Sequence, residues 1–166
     1  MQRLREYLQV QASEKTLPEL ISRVREGVDE LTAAANAFAE DELERKPPVE
    51  EAKEDGWTPL ECIKHVIGSN VHVGRELLYV AHTGELPPNE DDTLPGDREA
   101  LLRLHDEAMA STYAHVEEAD PAANLDVKWQ HPFFGDLNWR EWFLFLRLHA
   151  YDHTRQLQAM KESFGE

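Results

Sequence analysis

The chain contains four stretches in which apolar residues recur at steps of three and four positions, the spacing that gives an α-helix one apolar stripe. In the first stretch the stripe comprises Leu17, Leu20, Ile21, Val24, Val28, Leu31, Ala35 and Phe38. The four predicted helices span Leu17–Glu40, Pro59–Thr83, Arg98–Ala119 and Trp139–Glu162. Helices of ~20–25 residues are ~30–37 Å long. Their similar lengths are typical of a bundle.

Local sequence signals mark where these helices begin and end. The second helix starts with Thr58 at the N-cap, Pro59 in the first turn and Glu61 three residues after the cap, a combination typical of a helix start. Gly84 follows the last residue of this helix, and Pro121 comes shortly after the third. Both residue types are typical of helix ends. The pattern and its boundaries predict an all-α protein.

The connections between the predicted helices are long. They span Asp41–Trp57, Glu85–Asp97 and Asp120–Leu137, and each exceeds the roughly 2–8 residues usual between bundle helices. Such connections favour a four-helix bundle with crossovers, and they supply material for the rim of a pocket. Because no stretch alternates in hydrophobicity with a period of two, no β-sheet is predicted, although Leu125–Trp129 could pair briefly. The length of 166 residues fits a single domain over 1–166.

The net charge of the chain disfavours some classes of binding partner. Asp and Glu outnumber Lys and Arg by 33 to 17, which gives a formal net charge of −16. This charge disfavours nucleic acids, which bind basic surfaces, and anionic membrane surfaces. The longest apolar run, Trp142–Leu146, is far shorter than the ~20 residues that span a bilayer, and the first residues lack the apolar core of a secretory signal. We therefore expect a cytoplasmic protein with neither nucleic-acid nor membrane partners.

Histidines carry the candidate chemistry, and two of the eight lie one helical turn apart. His149 and His153 share one face of the last helix, within the stripe Trp142, Leu146, His149, His153, Leu157 and Met160. Buried imidazoles need partners, because an unpaired polar group inside a protein is unfavourable. A metal ion would satisfy both rings at once. Hydrogen bonds to backbone carbonyls or carboxylates in the core would satisfy them equally well.

Catalytic metal sites usually have three protein ligands and an open position, so a third ligand has to come from elsewhere. His65 on the second helix is one candidate, and His72 and His105 are alternatives on apolar helix faces. His82, His115 and His131 are expected to be solvated or to make local contacts, although the loop of His131 leads into the last helix and could line a pocket. Residues 149–153 also come close to the H-x-x-E-H pattern of zinc proteases. Aspartate in place of the glutamate and the small size of the chain disfavour that interpretation.

Three segments in a fixed order carry a family resemblance. Residues Trp57–His65 form W-T-P-L-E-x-x-x-H, residues His131–Trp142 form H-P-x-F-G-x-L-x-x-x-E-W, and residues His149–Gln156 form H-x-x-x-H-x-x-Q. This order resembles the DinB/YfiT-like superfamily of metal-dependent four-helix-bundle proteins, over roughly Thr16 to Met160.

The resemblance implies a ligand set and a type of reaction. It implies a four-helix bundle in which His65, His149 and His153 hold a divalent metal ion. It also implies a reaction with a small-molecule substrate, because characterised relatives include thiol-dependent S-transferases and a thiol-dependent isomerase that use mycothiol or bacillithiol. The other catalytic and cofactor-binding residues stay unassigned. Asp152 and Gln156 are placed to orient a ligand imidazole. For Asp152 the alternative is a surface carboxylate on the far side of the helix.

Such a site suits thiol activation. Three neutral imidazoles leave a divalent ion its full charge and an open position, so the ion can lower the pKa of a bound water or thiol. Zinc is favoured for this chemistry, while nickel, iron and manganese also accept imidazole ligands. We expect the ion to activate a low-molecular-weight thiol, with metal-assisted hydrolysis as a variant. The single cysteine, Cys62, is expected to be a buried structural thiol.

A second hypothesis is a non-catalytic helical association module, with a structural metal site or none. It depends on Trp142–Leu146, which is apolar nearly all round the helix. A helix that is apolar on every side is buried on every side. In a bundle of one layer that predicts a partner subunit, and a symmetric homodimer is the commonest arrangement.

Overall fold

The structure, a computed structural model, describes residues 1–48 and 56–165. Five α-helices occupy these residues: α1 Gln2–Glu14, α2 Leu17–Asn36, α3 Pro59–Thr83, α4 Arg98–Glu118 and α5 Trp139–Phe164. A 3-10 turn covers Glu40–Glu42, and two short strands, β1 Trp129–His131 and β2 Gly135–Leu137, precede α5. The protein is thus an α-helical bundle with one small hairpin.

The four predicted helices are confirmed as α2 to α5. Their starts carry the predicted caps, since Thr16, Thr58 and Asn138 each accept a hydrogen bond from the backbone N–H of the glutamate three residues later. The predicted end of the first helix at Glu40 is wrong. Helix α2 stops at Asn36, because the chain becomes extended at Ala39 and enters the 3-10 turn.

Two elements were not expected from the sequence, and both lie near the start of α5. Helix α1 buries only Leu8 and Ala12, which is too narrow a stripe to stand out as a periodic pattern. The prediction of no β-sheet is also wrong, because β1 and β2 pair antiparallel with Trp129 opposite Leu137. Strands of three residues are too short to show an alternation.

The order of the helices around the bundle explains the long connections. Helix α2 packs on α5, α5 on α3, α3 on α4, and α4 on α2. Helices α2 and α3 therefore lie diagonally opposite each other, as do α4 and α5. The chain has to cross an end of the bundle between the members of each diagonal pair, as the lengths of Asp41–Trp57 and Asp120–Leu137 predicted.

The interior is divided into two apolar clusters. One comprises Leu20, Leu77, Met109, Phe143 and their neighbours, and the other comprises Leu31, Ile63, Leu101, Leu157 and theirs. Between them, the buried polar pair Asn70 and His105 joins α3 to α4. On α5 the change from one cluster to the other falls between Leu146 and Ala150, where His149 lies. A layer of polar groups thus crosses the middle of the bundle.

The apolar segment Trp142–Leu146 is covered within the chain itself. Four of its residues are buried and Phe145 is half-buried. Helices α1 and α2 pack on α5, and the hairpin residues His131 and Phe134 pack on its aromatic side chains. The homodimer stays a prediction, and it no longer draws support from this segment. No helix in the described ranges is both long and apolar enough to cross a membrane.

Candidate metal centre

The centre of the site is the histidine pair on α5. The Nε2 atoms of His149 and His153 lie 3.0 Å apart. His153 is 6% exposed, and its Nδ1 lies 2.9 Å from Oε1 of Gln156. An amide oxygen can only accept, so Nδ1 of His153 carries the hydrogen and its Nε2 presents a lone pair. The pair therefore turns its ring nitrogens toward a common point.

Helix α3 supplies the third imidazole. The ring of His65 lies 5.4 Å from that of His149 and 5.0 Å from that of His153, measured between centroids. One nitrogen from each of the three rings lies within 4.8 Å of the others. His65 is exposed while His153 is buried, so the cluster can be reached from solvent on the His65 side. The three residues that the resemblance implies as ligands are thus brought together.

The chemistry of this three-histidine cluster fits a divalent metal ion. Burial and the neighbouring His153, His65 and His131 lower the pKa of His149 to about 3. The ring therefore stays neutral at neutral pH and keeps a lone pair to donate. Two Nε2 atoms 3.0 Å apart require either a shared proton or a cation that both can face. Three imidazoles also form a donor set that suits zinc and other first-row metals.

Aromatic rings flank the cluster on two sides. The ring of Trp57 lies 4.5 Å from that of His65. The ring of Phe145, one turn before His149 on α5, stacks on the His149 ring at 5.3 Å with an interplanar angle of 22°. These contacts hold two of the three imidazoles by their faces and cover them with apolar surface.

His131 lies on the far side of Phe145, and of the two expected alternatives, solvent exposure and local contacts, it has the local contacts: its Nδ1 accepts hydrogen bonds from the backbone of Phe133 and Phe134. It is 4% exposed, and its ring lies 4.3 Å from Phe145 and 4.9 Å from Trp142. The hairpin carries it there, and the sequence does not predict the hairpin. Two signals set His131 apart from other loop histidines: its place in the His131–Trp142 segment and the fact that its loop leads into the last helix.

The alternative third ligands lie elsewhere. His72 is on the surface, 3.1 Å from Glu76 and 3.3 Å from Asp92. His105 is in the core, where its Nε2 accepts a hydrogen bond of 3.0 Å from the Asn70 amide. His82 and His115 make local contacts, as expected, each with the carbonyl four residues earlier.

His105 gives the protein a pH-dependent stability. Burial lowers the pKa of His105 to about 4, from 6.5. Its contribution to folding is therefore complete above pH 6.5 and is lost as the pH falls toward 4, because the unfolded chain then binds the extra proton. We expect the free energy of unfolding to fall by about 2 kcal/mol more in the wild type than in His105→Gln between pH 7 and pH 5. Urea unfolding at both pH values measures this, and an equal fall in the two proteins would contradict it.

Some of the polar residues near His149 and His153 are buried, and others are exposed. Gln156 is 1% exposed and accepts from His153, while Asp152 lies on the exposed side of α5. Cys62 is fully buried, as expected, and its Sγ lies 3.7 Å from both His153 Nδ1 and Gln156 Oε1. The structure thus places Gln156 in contact with His153, one of the ligands that the resemblance implies.

A depression of about 560 Å³ lies between the end of α2 and α4, away from the histidines. Its lining is mostly charged and includes Arg98, Arg103 and Asp106. None of its lining residues is a histidine or a cysteine. We therefore assign the candidate chemistry to the three-histidine cluster rather than to this depression.

The fold and the cluster together define a class: a four-helix bundle in which two helices bring three imidazoles to one point. A scan of family models matches the DinB superfamily over residues 20–157, and the chain belongs to this superfamily. Metal binding is usual in it. Among solved structures, the chain is similar to one described as TT2238, a four-helix bundle protein, at 28% identity and a TM-score of 0.59. That match covers 87% of this chain and 99% of the other. A search of curated proteins found no match.

Proposed function

We propose that the chain is a metal-dependent enzyme that transfers a low-molecular-weight thiol to an electrophile. The observation that carries the proposal is the three-histidine cluster, with ligand atoms within 4.8 Å of one another and one exposed ring. A divalent ion held by His65, His149 and His153 would supply a full positive charge that lowers the pKa of a thiol and so raises its nucleophilicity. Zinc is the favoured ion, and nickel, iron or manganese would also suit these ligands.

The chain's own residues prepare the site in two ways. Gln156 accepts the Nδ1 hydrogen of His153 and so fixes which nitrogen that ring presents. Trp57 and Phe145 pack on the rings of His65 and His149. Packing on an aromatic face restricts the rotation of an imidazole, and it keeps water from that side. Both kinds of contact support the proposal, because they limit how the three rings can turn.

The nucleophilic sulfur has to come from outside the chain. Its one cysteine, Cys62, is fully buried, and a buried structural thiol is inert. A soluble thiol could approach from the exposed side of His65. The net charge of −16 supports a small-molecule substrate over a nucleic acid.

The test is an activity screen on zinc-loaded protein. We expect loss of monochlorobimane that requires both the metal and one of three thiols: glutathione, mycothiol or bacillithiol. His72→Ala, a change outside the cluster, should retain the activity, and His149→Ala should lose it. No thiol-dependent loss with any of the three would remove the transferase proposal for those thiols. If the protein also binds no metal, the helical association module becomes the better hypothesis.

A further inference from the structure

The hydrogen bonds of His131 define its tautomer. Its Nδ1 accepts hydrogen bonds from the backbone N–H groups of Phe133, at 3.0 Å, and Phe134, at 3.3 Å. A nitrogen that accepts carries no hydrogen in a neutral imidazole, so the hydrogen of this ring is on Nε2. Within residues 1–48 and 56–165, Nε2 makes no hydrogen bond. The hairpin therefore holds an imidazole with one N–H donor to spare.

This donor lies in apolar surroundings beside the three-histidine cluster. One phenyl ring, that of Phe145, separates the His131 ring from His149, at centroid distances of 4.3 Å and 5.3 Å. Trp142 and Phe134 pack on His131 as well. None of the cation–π contacts in the described part of the chain brings a cation onto these rings, because all four involve other aromatic residues. A hydrogen-bond donor in such surroundings interacts more strongly with a developing negative charge than it would in water.

Burial also keeps His131 uncharged. Desolvation lowers the pKa of this imidazole below its usual value. At neutral pH the ring is therefore neutral, and it can stabilise a negative oxygen by donating a hydrogen bond without giving up its proton. Nδ1 is occupied by the hairpin backbone, so the ring cannot turn over without losing two hydrogen bonds.

We propose that His131 is an oxyanion donor, whose Nε2–H binds the oxygen of an uncharged electrophile that lies across Phe145. This rests on the proposed function. When a thiol adds to a conjugated carbonyl compound, the sulfur lone pair forms a bond to the β-carbon. The π pair of the carbon–carbon double bond then becomes a double bond between the α-carbon and the carbonyl carbon, and the π pair of the carbonyl group moves onto its oxygen. The oxygen gains negative charge, which the hydrogen bond from His131 stabilises. The proton released by the thiol ends on the α-carbon, so no oxidant or reductant is needed.

Two variants separate this role from a purely structural one. In His131→Asn the amide oxygen can replace Nδ1 as the acceptor for the hairpin backbone, but no donor remains at Nε2. His131→Gln keeps an N–H near Nε2 and gives up the acceptor. We expect His131→Asn to lower kcat for benzylideneacetone, a conjugated ketone, by about 100-fold, with little change in KM. For benzyl chloride, which has no oxygen, the fall should be much smaller, and His131→Gln should recover part of the ketone rate. Equal falls for both substrates, or no fall, would overturn the proposal.

A measurement without turnover tests the donor directly. Acetophenone is an uncharged aryl ketone with no carbon–carbon double bond to accept a thiol. On metal-free protein, we expect its carbonyl stretching frequency to be lower when bound to the wild type than when bound to His131→Asn. Equal frequencies, or no bound ketone at saturation, would overturn the proposal. If instead the frequency shift is present but no thiol is ever transferred, the donor stands and the proposed function fails.

Discussion

Replacing His149 by alanine is expected to abolish stoichiometric metal binding. The wild type should hold about one zinc per chain after reconstitution, because three imidazole nitrogens converge within 4.8 Å. The variant keeps two of the three ligands and loses the one whose Nε2 lies 3.0 Å from that of His153. Plasma mass spectrometry on tag-free, desalted protein measures the metal content. His72→Ala is the matched control, because it removes a surface histidine outside the cluster.

Two results would contradict this prediction. One is retention of the metal by His149→Ala, which would place the ion elsewhere. The other is a wild type that binds neither zinc nor nickel, which would make the three histidines part of the core structure. Circular dichroism of both variants shows whether a loss of metal reflects a loss of fold.

Replacing Gln156 by leucine is expected to weaken metal binding by about 10–100-fold and to lower the free energy of unfolding by no more than about 1–3 kcal/mol. Leucine removes the oxygen that fixes the His153 ring at 2.9 Å. Stability should fall as well, because the buried Nδ1–H of His153 loses its amide acceptor. The loss is partly offset, because the other end of the Gln156 amide, Nε2, is itself buried without a hydrogen-bond partner and is removed by the same change.

Competition with a chromogenic chelator measures the zinc affinity, and urea unfolding of metal-free protein measures the stability. Gln156→Glu is the control, since it keeps an acceptor oxygen for His153 and should retain tight binding. An unchanged affinity in Gln156→Leu would show that the amide is only a core residue. A loss of affinity together with a large loss of stability would point to a damaged fold instead.

The helices that the sequence predicted are those with strong local patterns. Helices α2, α3 and α5 combine a cap at the first residue with a long apolar stripe, and both signals are confined to neighbouring residues. Helix α1 has neither: its first turn has no side-chain cap, and its conformation depends on Leu8 and Ala12 packing in the core. Such packing depends on residues far along the chain, which a periodic pattern does not reveal.

The candidate site likewise has residues that local spacing predicts and residues whose position depends on tertiary packing. The pairing of His149 and His153 follows from helical spacing alone, and Gln156 follows from its place one turn after His153. Choosing His65 over His72 requires the packing of α3 on α5, which the sequence pattern does not show, so that choice depended on the family resemblance. His131 could not be placed, because a hairpin of two three-residue strands carries it to Phe145.

The polar layer between the two apolar clusters also affects how the bundle opens. Each cluster buries its own set of side chains, and few apolar contacts cross the level of Asn70, His105 and His149. A bundle divided in this way can lose one half of its packing while the other half survives, so we expect its amide hydrogens to exchange in two groups rather than in one. His65 and His153 lie among residues of the same half, the cluster with Ile63 and Leu157. A ligand on those histidines would therefore slow hydrogen exchange mainly in that half.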